Sequence, residues 1–177
     1  MNRIMVMGVS AGVGKSTFAR KLGEALQLDV YHLDTIFWKP NWVETPLEEF
    51  RAKQKEIVKK DQWIIDGNYS NSYDIREQHA DTIIYLELPL LVCLYRVLKR
   101  RIVHSGKTRP DMREGCEEKI DFKFLKFIIT TYHRRKKMMR TRFKEFQNSK
   151  RVVIVLQGRE EIKQFLKEYE RGGRGTM

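Results

Sequence analysis

The run Gly8 to Thr17, GVSAGVGKST, is the first place where residue types and spacing could do chemistry. Gly12, Gly14, Lys15, Ser16 and Thr17 match the end of the phosphate-binding pattern GxxxxGK[ST]. The start is offset: counting back from Gly14, the first glycine should stand at Val9, and Gly8 comes one residue early. Either the loop carries one extra residue or its first turn is made without glycine. Such a loop turns backbone N–H groups onto phosphate oxygens at the positive end of a helix, with an ammonium near the β and γ phosphates. Gly12 and Gly14 allow close approach, Lys15 supplies the charge, and the Ser16 hydroxyl would ligate the Mg2+ of a bound ATP. The expected nucleotide-binding set is Gly8, Ala11, Gly12, Val13, Gly14, Lys15, Ser16 and Thr17, with Arg96 and Arg100 from further along the chain.

Carboxylates recur at the ends of apolar runs. Asp66 ends WIID, where it either joins Ser16 in the Mg2+ shell or caps the following turn, DGNYS. Glu87 stands next to last in IIYLEL, two residues before Pro89, and reads more simply as a helix cap. Asp34 follows YHL at the carboxyl end of a strand, where open α/β folds bind ligands. It can take the proton of an attacking hydroxyl, or form an Asx turn leaving the strand. Trp38, Lys39, Pro40 and Trp42 follow as an aromatic and basic patch that covers an acceptor or packs its own loop.

Arg96 and Arg100 are four residues apart in YRVLKRRIVHSGKTR, and so share a helix face. The spacing puts Leu91, Leu94, Leu98 and Ile102 on the opposite, buried side. Two aligned guanidiniums suit phosphate oxygens, which they can bind bidentately. After them, His104 to Lys119 holds Gly106, Pro110 and Gly115 and few apolar residues, a long excursion of the lid or binding-loop kind. Arg109 and Arg113 are its candidate phosphate-neutralising arginines, and Arg134 and Arg135 lie in the helix beyond.

The elements that must position these groups alternate. Short apolar runs at 4–7, 30–33, 63–65, 82–88 and 152–156 are each followed by helical periodicity, which predicts an α/β fold with a parallel sheet wrapped by helices. Phe18, Leu22, Ala25 and Leu26 form the stripe of the first helix, and Thr45-Pro46-Leu47-Glu48 reads as a capping box opening the second. A long helix is expected over about 121–148, with Phe122, Leu125, Ile129, Tyr132, Met139 and Phe143 inward. One domain over residues 1–170 is expected, followed by a frayed tail, RGGRGTM.

Net charge is +12, and it is concentrated: residues 96–151 hold 19 Lys or Arg against 6 Asp or Glu. An anionic partner follows, and charge alone leaves phosphate esters, nucleic acid and acidic membranes all open. No run approaches the length of a membrane span or signal core, so no membrane partner is expected. Cys93 and Cys116, with no metal-type or disulfide-framework spacing, suit a reducing cytoplasm.

Taken together, the phosphate loop, HLDTIFWKPNWVETP, WIIDGNYS, ADTIIYLELP, the YRVLKRR helix and TRPDMREG make this sequence resemble the DNA topology modulation proteins, a bacterial group related to adenylate kinase. The matched blocks run from Arg3 to Gly115, and WKPNW, DGNY and TRPDM are the distinctive ones. The resemblance implies a P-loop, nucleoside-monophosphate-kinase-like core: a three-layer αβα fold with a five-stranded parallel sheet, an acceptor-binding insertion at about 34–60 and a lid at about 104–120. It implies ATP and Mg2+, with catalytic groups at Lys15, Asp34, Arg96, Arg100 and Arg109. The order Arg96, Arg100, Arg101, His104, Ser105, Gly106, Lys107 is similar to the arginine-rich helix and lid entry of adenylate-kinase-like enzymes. One departure stands out. Where adenylate kinase has an acceptor-phosphate arginine after its DG pair, this chain has Tyr69 and Ser70, leaving Arg51 or Arg76 to compensate or the acceptor to be a different small molecule. A phosphotransferase is therefore expected, and a nucleic-acid-associated ATPase using the basic segment is the alternative.

Overall fold

The computed structural model describes residues 1–103, 112–117, 122–148 and 151–172. In chain order the strands are β1 (Arg3–Gly8), β2 (Val30–His32), β3 (Trp38–Lys39), β4 (Val43–Glu44), β5 (Trp63–Asp66), β6 (Thr82–Glu87) and β7 (Val152–Gln157). The α-helices are α1 (Lys15–Leu26), α2 (Leu33–Phe37), α3 (Leu47–Val58), α4 (Tyr73–His79), α5 (Leu90–Val103), α6 (Phe122–Asn148) and α7 (Gly158–Gly172). Residues 173–177 of the expected tail lie outside the described residues.

Five strands form one parallel sheet in the order β2-β5-β1-β6-β7, while β3 and β4 pair as a separate antiparallel ribbon. The central strands are continuous apolar runs because both of their faces are covered, as a parallel sheet requires. Register shows the two covers. Ile64 lies beside Gly23 of α1 and pairs with Ile4, whereas Tyr85 meets Phe143 of α6 edge to face, 5.1 Å between ring centroids, and pairs with Met7. Ile4 and Met7 are an odd number of residues apart on β1, so α1 and α6 lie on opposite faces of the sheet. The result is the expected three-layer αβα arrangement. On the α1 side, α7 joins the layer through Phe18 and Phe165.

Three local expectations are corrected. Thr45 does not cap α3: its hydroxyl donates to the Ile36 carbonyl, and Pro46 takes the cap position. In α6, Ile128 and Phe146 are buried, while Phe122 and Ile129 face outward, a modest rotation of the predicted face. The third concerns α5. Its leucine stripe is not the buried side: Leu91 and Ile102 are 78% and 79% exposed, and Cys93 and Val97 are buried instead. Arg96 and Arg100 fall in the same helical sector as Cys93 and Val97. The guanidiniums therefore lie on the inward face, with Leu91, Leu98 and Ile102 outward.

Among the described residues no helix is long and apolar enough to cross a membrane. Cys93 and Cys116 are unpaired and buried.

Candidate active site

The phosphate loop leaves β1 at Gly8, and α1 begins at Lys15 with Gly14 as its left-handed N-cap, φ 102°. Gly8, the glycine that stands one place early, is required where it is, since a Cβ there would meet Val13 Cγ1 at 2.5 Å. Gly12, φ +78°, lies so close to α5 that a Cβ would come within 2.3 Å of the Cys93 carbonyl oxygen. Only glycine satisfies both the backbone and the contact. The Arg96 guanidinium completes the junction, donating from Nη1 to the Val13 carbonyl at 3.0 Å. These contacts orient α5, which is why its arginine face turns inward.

Lys15 sits where charges converge. Burial pulls its ammonium below the ordinary lysine value, Asp66 and Asp34 oppose that fall, and Arg135 and Arg100 add to it. Two carboxylates and two guanidiniums from four elements therefore act on one ammonium at the carboxyl ends of the strands. Ala11 and Ser16 are part-exposed and Thr17 is exposed at the start of α1.

The turn Asp66-Gly67-Asn68-Tyr69 ties this cradle together, each residue to a different element. Asp66, at the end of β5, faces His32 across the β2–β5 ladder, with His32 Nδ1 3.0 Å from Asp66 Oδ2. Its other oxygen, Oδ1, is buried and accepts no hydrogen bond. Gly67 donates to Val6 and accepts from Arg76 Nη1 at 2.9 Å. The Asn68 amide grips Gly8 twice, donating to its carbonyl at 2.7 Å and accepting from its N–H at 3.0 Å. The Tyr69 hydroxyl donates to Asp34 Oδ1 at 2.7 Å, and burial followed by the Asp34 charge pushes that phenol far above its ordinary value.

Asp34 lies in the first turn of the short helix α2. Around it Phe37 contacts Trp38, Phe50 and Tyr69 at 4.9, 5.1 and 4.8 Å between ring centroids, and Trp38 meets Trp42 at 5.3 Å. The far edge of this aromatic group is bonded to residues 115–117: Asn41 N–H donates to the Gly115 carbonyl at 2.9 Å, Trp42 Nε1 to the Glu117 carbonyl at 2.8 Å, and Cys116 Sγ to the Lys39 carbonyl at 3.2 Å. WKPNW and the end of the TRPDMREG segment are thus one docked unit.

Neither arginine offered for an acceptor phosphate reaches that role. Arg76 is fully buried, bonded to the carbonyls of Gly67 and Tyr69, and burial pulls its guanidinium down to about 10. Arg51 is forked onto Asp74, with bonds of 2.9 and 2.6 Å. Glu87 is in an ion pair with Lys136 of α6. Arg109 and residues 104–107 lie outside the described residues, Arg113 and Arg134 are exposed, and Arg135 is half-buried with its guanidinium lowered by burial. Sequence reasoning missed His32 and Asn68 and underweighted Arg135. The one available sign for His32 was its place at the end of a strand, two residues before Asp34.

Asp66 is the residue whose surroundings suit a metal ion. A buried carboxylate oxygen with no hydrogen-bond donor, at the edge of a phosphate cradle, fits a cation or its water. The Ser16 hydroxyl, at the start of α1, is the other hard oxygen the motif offers, and oxygen is the donor type that Mg2+ takes.

No family model matches this sequence, and no curated protein is matched by it. Solved structures do match. A shikimate kinase from Aquifex aeolicus superposes with a TM-score of 0.54 at 18% identity over 98% of this chain and 99% of that one. A gluconokinase from Sinorhizobium meliloti gives 0.53 at 15% over 98% and 91%, and a sugar kinase from Janibacter sp. gives 0.52 at 14% over 97% and 91%. At these identities the likeness establishes the fold alone, over nearly the whole chain.

Proposed function

We propose that this protein transfers the γ-phosphoryl group of ATP to a hydroxyl of a small acceptor. The observation that carries the reading is the glycine-rich loop at the N-terminus of α1, packed by Gly12 against α5 and held there by Arg96 on the Val13 carbonyl, with Lys15 in the electrostatic field of Asp66 and Asp34. The acceptor oxygen attacks the γ phosphorus, the bridging P–O bond breaks, and its electron pair leaves with ADP. The acceptor proton passes to the Asp34 carboxylate, whose orientation the Tyr69 hydroxyl fixes. Lys15, Arg96 and Arg100 face the negative charge that spreads over the transferred group, so catalysis is positioning and electrostatics. Ser16 and Asp66 would hold Mg2+, which when bound would neutralise charge on the β and γ oxygens.

The commitment of Arg51 and Arg76 to Asp74 and to backbone carbonyls supports a hydroxyl acceptor over a nucleoside monophosphate. The structural neighbours, named as kinases of shikimate, gluconate and a sugar, support the same direction. In this reading residues 1–170 are one domain, 34–60 bind the acceptor, and 104–120, with Arg109, form the lid that excludes water. In the same reading WKPNW, DGNY and TRPDM place the chain with the DNA topology modulation group. The two unpaired thiols support a reducing cytoplasm. The test is ADP release across nucleoside monophosphates, nucleosides, sugars and sugar acids. A hydroxyl compound should raise release well above basal hydrolysis. A nucleoside monophosphate as best acceptor overturns the hydroxyl assignment, and stimulation by none overturns phosphotransfer.

One observation favours a second reading. His133, Lys136, Lys137, Arg140, Thr141 and Lys144 form an open basic stripe along α6, the kind of surface a phosphate backbone could follow. DNA binding that is absent at about 50 mM salt, where phosphate contacts are strongest, removes it.

A further inference from the structure

The reaction just described does not use His32, yet the structure gives it a defined place. It ends β2 directly opposite Asp66 in the parallel ladder, and its backbone is pinned twice, by that ladder and by the Thr35 hydroxyl donating to its carbonyl at 2.7 Å. Its imidazole therefore starts from a fixed point. The two side chains are 17% and 5% exposed, so little water competes for the contact between Nδ1 and Asp66 Oδ2. A carboxylate oxygen accepts, so Nδ1 carries the hydrogen.

The consequence falls on the other oxygen. A carboxylate held at one oxygen has its plane and rotamer set, and at Asp66 the oxygen left over is Oδ1, buried and without a hydrogen bond. Burying an acceptor without a donor is costly, and the cost is offset when a cation or its water occupies that position. Neither Gly67 nor Asn68 can do this orienting, because their hydrogen bonds go to Val6, Arg76 and Gly8. We propose that His32 is a positioning residue for the metal site: it holds Asp66 through Oδ2 so that Oδ1 alone is presented to the ion of the bound nucleotide. The inference rests on the reading of Asp66 as part of that ion's shell. It assigns His32 no proton transfer and no contact with substrate.

The experiment is a Mn2+ titration of the full-length protein in the presence of ADP, read by electron paramagnetic resonance, with metal-free ADP affinity measured in parallel. His32→Leu, which removes the donor at similar bulk, should weaken Mn2+ binding about tenfold, the usual scale for losing a group that orients a ligand, and leave metal-free ADP binding unchanged. His32→Asn places an amide N–H close to the position of Nδ1 and should restore most of the loss. His32→Phe is the second donor-free variant should His32→Leu fold poorly. Mn2+ binding by the donor-free variants at parental strength overturns the proposal, as does a His32→Asn that binds no better than His32→Leu. Asp66→Asn separates the two levels. If it too binds Mn2+ at parental strength, the metal assignment of Asp66 fails and takes this one with it; if Asp66→Asn weakens binding and His32→Leu does not, only the role of His32 fails.

Discussion

The two halves of the proposed site, the loop that would hold the donor and the ring cluster that would hold the acceptor, are built from different materials. On the donor side the fixed points are backbone groups: the Val13 carbonyl held by Arg96, both polar groups of Gly8 held by Asn68, and the Gly67 and Tyr69 carbonyls held by Arg76. On the acceptor side they are rings, Phe37, Trp38, Trp42, Phe50 and Tyr69, closed by three hydrogen bonds to residues 115–117. Backbone amides meet every phosphate in the same way, so a backbone cradle is suited to a common donor. Ring faces and one carboxylate are set by side-chain identity, so this is the half where specificity for the acceptor can be tuned.

Substitutions that hit only one half break the comparison most directly. Lys15→Ala should have the largest effect, lowering acceptor-stimulated ADP release about a thousandfold by removing charge from the transferred group, as steady-state kinetics would show. Asp34→Asn should lower kcat about a hundredfold, the scale for losing a general base, while the KM for ATP holds steady. A matching rise in the KM for ATP would mean that the two halves are not separable. Arg76→Met leaves two buried carbonyls without donors and should cost about 2 kcal/mol. On a chain of this size that appears as a melting point lower by roughly 4 to 8 °C. Trp42→Phe keeps the ring contact with Trp38 and removes the hydrogen bond to Glu117. It should raise the acceptor KM about fivefold, the scale of one lost hydrogen bond, and leave the KM for ATP alone.

Much of the strand, loop and helix around Gly8 to Lys15 was legible because its signals are local. The strand before Gly8, the glycines at 12 and 14 and the helix from Lys15 follow one another within twenty residues, and the five apolar runs marked all five strands of the main sheet. The acceptor half was less so. Asp34 was visible at a strand end, but its bond to Tyr69 spans 35 residues. Arg76 looked like an available cation because nothing near it in sequence shows that its donors are spent on Gly67 and Tyr69.

The sequence by itself determined the alternation of strands and helices, the phosphate loop and the surplus of positive charge, since each depends on neighbours along the chain. Tertiary structure decided which face of α5 turns inward, because Gly12 against Cys93 and Arg96 on Val13 outweigh the pull of an exposed leucine stripe. It also decided that His32 meets Asp66. That meeting depends on the register of β2 against β5, and a shift of one residue would have sent the imidazole to the other face of the sheet.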